Sequence, residues 1–205
     1  MTKLLILRHG HVAGIAPLRF RGRQELPLSP LGRRQAEALA REVEKRFRLD
    51  SVYTSPLERC RQTARALGRP FALEAQASDA FIDIDYGAWQ GLSLEEARGR
   101  WPTEVDLWLD RPHLARIPGG ETLAALFARC ADGLESILRL HASGTIALVA
   151  HESVNRALLL YALELPLSRY WRLGQEPAAI NELEYEGGSF SLRSLNETRH
   201  LAGLS

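Results

Sequence analysis

Apolar positions along the chain alternate between short unbroken runs and longer stretches with helical spacing, and that alternation predicts the elements. Residues 4–7, LLIL, form a continuous aliphatic run that suits a strand buried on both faces; it gives way abruptly to Arg8 and His9. In "SPLGRRQAEALAREVEKRF", Ser29 is placed as N-cap and Pro30 at the first helical position, with Ala36, Leu39, Ala40, Val43 and Phe47 on one face. "SVYTSP" reads as a short strand running into a helix that starts near Pro56. A helix is predicted over about residues 121–141, because Leu123, Leu126, Phe127, Cys130, Leu134, Ile137, Leu138 and His141 make one stripe. "TIALVA" is strand-like and stops at His151, a further apolar helix follows over residues 154–163, and "AAINELEYEGGSFSL" reads as two strands joined at Gly187 and Gly188. Residues 83–118, rich in Trp, Pro and Gly, show neither period and are expected to be irregular.

Strands alternating with helices imply an α/β protein: a three-layer α/β/α sandwich on a mainly parallel sheet. The expected organisation is a single domain over 1–205, with roughly 83–118 inserted as a cap over the C-terminal edge of the strands. At 205 residues and 45% hydrophobic, the chain can bury a full core. Its formal net charge of +1 gives no general attraction to nucleic acid or membrane, so any anion binding must be local. Two cysteines far apart in sequence make no disulfide framework, and the first apolar run is too short for a signal segment or a span; a cytoplasmic protein is expected.

The polar residues fall at the strand ends. Strand 1 ends at Arg8 and His9, the strand near Val52 leads within one turn to Arg59, and the strand of residues 145–150 ends at His151. Parallel strands deliver such residues to a crevice at their carboxyl edge. Two guanidiniums converging there suit a tetrahedral oxyanion, with phosphate as the expected guest. A neutral imidazole can attack phosphorus, while a second one, if protonated, stabilises charge on the equatorial oxygens.

"LRHG", "GRQELPLSPLGRRQA", "SPLERCRQTA", "DIDYGAWQG", "PGGET", "ALVAHESVNRALL" and "LNETRHL" occur in this order over nearly the whole chain. In them the chain resembles the histidine phosphatase superfamily, branch 1, which includes phosphoglycerate mutase-like and alpha-ribazole phosphatase-like proteins. The resemblance implies that His9 is the phosphorylated nucleophile and that Arg8, Arg59 and His151 hold the phosphoryl group. An acid in "DIDYGAWQG" would protonate the leaving oxygen; the alignment puts Asp83 there, with Asp85 as the reserve. No cofactor or metal is implied. Departures occur at His11, Val12 and Ile15, where the family usually has polar pocket residues, and at Asp83, where it usually has Glu. His11, Arg21, Asp85 and Glu121 are further candidates for the pocket.

The function this implies is a metal-independent phosphatase acting on a small phosphorylated metabolite. A phosphoglycerate mutase is the alternative, disfavoured by chain length and by the lack of the mutases' paired arginines in the inserted segment. More remote are a metal-dependent hydrolase built on His9-x-His11 with His151, Asp83 and Asp85, which adjacent arginines would oppose, and a phosphate-binding module without catalysis. Which phosphate ester is taken, and the oligomeric state, are left open.

Overall fold

A computed structural model describes residues 1–12 and 19–204. Strands β1 (Thr2–Arg8), β2 (Ser51–Thr54), β3 (Ala75–Ala77), β4 (Gly144–Ala150), β5 (Ile180–Glu186) and β6 (Ser189–Glu197) form one sheet in the order β3-β2-β4-β1-β5-β6. The first four run parallel, and β5 and β6 add antiparallel along the β1 edge.

Alternation of side chains along β1 divides the core in two. Leu5 and Leu7 pack with Leu39 and Val43 of α1 (Pro30–Arg46) and with Ala64 and Leu67 of α2 (Glu58–Gly68). Leu4 and Ile6 face the other way, onto Leu126 and Leu134 of α5 (Leu123–Leu140) and Leu158 of α6 (Glu152–Ala162). Helices on both faces of a mainly parallel sheet give the three layers expected. No helix among the described residues is long and apolar enough to cross a membrane.

Local signals fix the helix starts. The Ser29 hydroxyl accepts from Gly32 N at 3.0 Å and Pro30 stands in the first turn of α1, as anticipated. Close backbone approach then locks the loop after β1 to this helix. A Cβ on Gly32 would lie 1.9 Å from the His11 carbonyl oxygen, and one on Gly10 2.5 Å from that of Gly32, so both positions need glycine.

Several boundaries differ from the pattern. Helix α5 starts at Leu123 because the Thr122 hydroxyl caps Ala125 N at 3.1 Å, leaving Glu121 outside the helix. Helix α6 starts at Glu152, two residues earlier than its apolar face suggests. Strand β3 is a three-residue edge strand with little burial and hence no hydrophobic run. Residues 83–118 are not irregular throughout: a Ser93/Glu96 capping box starts α3 (Leu94–Arg100), and Pro102 opens α4 (Pro102–Asp110). This segment contributes Trp89, Val105, Trp108 and Ile117 to the α5/α6 side of the core. Gly87, at φ +44°, lets residues 85–88 clamp onto residues 118–121: Ala88 N donates to Pro118 O at 2.8 Å and Glu121 N to Asp85 O at 2.9 Å.

Candidate active site

The parallel strands end side by side, and the residues that follow them meet. His9 leaves β1 with its N–H donated to Ala150 O at 3.0 Å and its carbonyl accepting from Ala178 N at 3.1 Å, so its backbone is held from both sides. His151 follows β4 as the N-cap residue of α6, and Arg59 lies in the first turn of α2.

The two imidazoles are held in opposite tautomers. His9 Nδ1 lies 2.7 Å from the Gly10 carbonyl, which can only accept, so Nδ1 carries the proton and Nε2 keeps its lone pair. His151 Nδ1 accepts from Arg59 Nε at 3.2 Å, so its proton is on Nε2, 2.7 Å from Ser55 Oγ. The rings meet edge to face with centroids 5.2 Å apart. Burial, reinforced by Arg59, His151 and Arg8, pushes His9 well below the usual histidine pKa; burial with Arg59, Arg8 and Arg129 does the same to His151. Both are neutral in the unliganded protein.

Arg59 is 1% exposed and is the node of the site. Besides His151 it donates from Nη1 to Gln24 O at 2.7 Å and from Nη2 to Gly22 O at 2.7 Å and Asp83 Oδ2 at 3.0 Å. Asp83 also accepts from Ile84 N at 2.9 Å and, on Oδ1, from the Ser153 hydroxyl. Arg8 donates from Nη1 to the Gln175 carbonyl and pairs through Nη2 with Glu152 Oε2 at 3.1 Å. Glu152 in turn pairs with Arg156 Nη1 at 2.6 Å, while Arg156 Nε donates to Leu173 O at 2.7 Å. Among the described residues, Arg8 Nε and Arg21 Nη2 are buried guanidinium nitrogens without a partner. Leaving such donors unmade costs about 1–3 kcal/mol each, which a bound anion would recover.

A cavity of about 410 Å³ opens over this floor. Arg8, His9, Arg21, Arg59, Asp83 and Ser153 line its base; Phe20, Tyr86, Leu94, Trp108, Tyr170 and Trp171 line its side. The structure thus brings Arg8, His9, Arg21, Arg59 and Asp83 to one cavity. His151 touches Arg59 and Ser55 behind the base of the cavity and does not line it.

The remaining candidates fall elsewhere. Asp83 and Asp85 do not share a face, because residues 83–86 form no strand: Asp85 turns away to Gly87 N at 2.8 Å and Arg23 Nη1 at 3.4 Å. Glu121 is clamped by Arg129 at 2.7 and 2.9 Å, a structural use of the carboxylate. His11 Nδ1 lies 2.8 Å from Ser29 Oγ, and burial with Arg21 and Arg8 lowers its pKa. Val12 is buried against Leu28, and Ile15 lies outside the described residues. Cys60 and Cys130 are buried thiols whose pKa burial raises, Cys130 to about 12. Among the described residues no three His, Cys, Asp or Glu side chains converge as a metal site would need, so the His9-x-His11 reading finds no ligand set.

Glu152, Ser153, Arg156, Tyr170 and Trp171 were not singled out by the sequence reading. Glu152 and Ser153 directly follow His151, and Arg156 is one helical turn beyond Glu152. A polar helix start immediately after a site histidine was the available signal.

The model of the histidine phosphatase superfamily (branch 1) matches residues 4–198. Phosphoserine phosphatase 1 of Hydrogenobacter thermophilus is 33% identical over 201 residues, covering 98% of this chain and 95% of that protein. The structure of a phosphoserine phosphatase mutant from Entamoeba histolytica in complex with phosphoserine superposes with a TM-score of 0.88 at 25% identity, covering 98% and 100% of the two chains. A mycobacterial glucosyl-3-phosphoglycerate phosphatase gives 0.87 at 26% identity, covering 96% and 99%.

Proposed function

The chain belongs to branch 1 of the histidine phosphatase superfamily, and on that premise we propose that it hydrolyses a phosphomonoester of a small molecule through a phosphohistidine on His9, with residues 83–118 as the cap of a single domain. The observation that carries this reading is the tautomer of His9, whose Nδ1–H is spent on Gly10 O and whose Nε2 keeps its lone pair in a cavity that Arg8, Arg21 and Arg59 also line.

In the first step Nε2 attacks phosphorus and the P–O ester bond breaks; the leaving oxygen takes a proton from Asp83. In the second, water attacks phosphorus, the P–N bond breaks, and a proton of that water passes to the Asp83 carboxylate. Arg8, Arg21 and Arg59 neutralise the phosphoryl oxygens throughout. A phosphate dianion competes with Asp83 for Arg59 and so releases the carboxyl group toward the leaving oxygen. His151 acts at one remove, as the acceptor that orients Arg59. Relatives that act on phosphoserine and on glucosyl-3-phosphoglycerate support hydrolysis over mutase transfer.

Brief reaction with a labelled phosphomonoester and an alkaline quench is expected to leave acid-labile phosphate on the peptide containing His9, and none in His9→Ala. Label on a Ser, Cys or Asp would overturn the assignment.

A further inference from the structure

Beyond the phosphate-binding floor the cavity is mostly apolar, with Arg19, Glu152 and Arg156 as its charged lining groups. Phe20, Tyr86, Leu94, Trp108, Leu109 and Trp171 form its wall, and their rings are locked to each other: Phe20 to Tyr86 at 5.0 Å, Tyr86 to Trp108 at 5.8 Å, Trp108 to Trp171 at 5.4 Å between centroids. The Trp171 indole N–H is consumed by Trp108 O at 2.8 Å. Charged groups along this wall already have counter-charges: Arg156 has Glu152 at 2.6 Å, Glu152 has Arg8 at 3.1 Å, and Arg19 has Glu96 at 3.1 Å. To place its own charge at Arg156, Glu152 or Arg19, a small amino acid or sugar acid would have to share or break one of these pairs. The volume of about 410 Å³ is in the range of cavities that take drug-sized ligands. Leu109 and Trp171, each 37% exposed, carry the apolar surface out to the rim.

The geometry points to phosphomonoesters of extended apolar alcohols as the substrate class of this site, an inference that rests on the phosphatase reading above. The floor recognises the phosphoryl group, and the wall recognises the leaving alcohol by contact area alone. Each methylene buried against the rings then adds to transition-state binding.

The test is kcat/KM along n-alkyl phosphates from ethyl to hexyl, with phosphoserine and 3-phosphoglycerate alongside. The expected rise is about fourfold per buried methylene, on the order of a hundredfold across the series, with hexyl phosphate above both polar esters. A flat series, or either polar ester tenfold better than hexyl phosphate, overturns the inference and leaves the phosphatase reading intact. Binding of n-alkylphosphonates, followed by calorimetry, reads the wall without turnover. Affinity that grows with chain length supports the inference even if no ester is hydrolysed, in which case the phosphatase reading is what fails; affinity independent of length overturns it. Leu109→Ser and Trp171→Ala are expected to flatten the dependence on chain length, whereas a merely structural role would lower every member alike.

Discussion

The floor and the wall of the cavity are held together by different forces. On the floor, Arg59 makes four hydrogen bonds to partners in three other parts of the chain, and each functional group has a fixed orientation. On the wall, rings pack edge to face and the Trp171 indole N–H is turned inward to Trp108 O. A hydrogen-bonded cluster tolerates no loss of a partner, since the groups left behind are buried and unpaired; a packed surface degrades gradually with contact area. The floor is therefore suited to chemistry common to all phosphate esters, and the wall to discrimination among them.

The largest effect is expected at Arg59. Arg59→Ala removes the guanidinium from the phosphate site and strips His151 Nδ1, Gly22 O and Gln24 O of their donor, so kcat/KM is expected to fall about a thousandfold or more. Vanadate inhibition should weaken in parallel. If activity survives within tenfold, the floor is as forgiving as the wall and the contrast collapses.

Asp83→Asn sharpens the contrast. An alkyl phosphate needs its leaving oxygen protonated, so its hydrolysis is expected to slow by roughly a hundredfold, while p-nitrophenyl phosphate, whose phenolate leaves unaided, slows far less. Asp85→Asn should show no such difference, since its carboxylate caps Gly87 N outside the cavity. An equal loss on both esters would show that Asp83 positions Arg59 and donates no proton.

A smaller effect is expected on stability. Folding depresses His9 and His151 below the ordinary histidine pKa of about 6.5, so below that pH the unfolded chain binds more protons. Their contribution is fully present above pH ~6.5 and is lost as pH falls, at up to about 1.4 kcal/mol per pH unit for each ring. Urea titrations between pH 7.5 and 5.5 measure the slope. In His151→Gln it should drop by up to that amount; an unchanged slope would mean that His151 is not held neutral.

The same division governs what the sequence reveals. Arg8, His9 and His151 are legible because each ends an unbroken aliphatic run, and Arg59 because it lies one turn into the helix after a strand; backbone topology alone carries them to one edge. Asp83 needed the family pattern, and its separation from Asp85 was invisible because residues 83–86 have no regular period from which side-chain directions could be read. The wall was hidden for another reason. Trp108 and Trp171 lie 63 residues apart and meet only through tertiary packing. Trp108, 2% exposed, serves core and cavity at once. The capping of α3 and α5 was present in Ser93 and Thr122, but apolar periodicity does not register caps.

The reach of Arg59 sets when the site comes into being. Its partners lie 24, 35, 37 and 92 positions away along the chain, so the guanidinium cannot find them until the loop of residues 22–24, the segment holding Asp83 and the end of β4 have all docked. Contacts of such long sequence separation form late, after their loop-closure entropy has been met. A chain halted before β4 is synthesised has the proposed nucleophile at position 9 and no means to use it. Under the proposed mechanism turnover thus reports complete assembly, and partly folded or clipped molecules leave phosphate esters untouched.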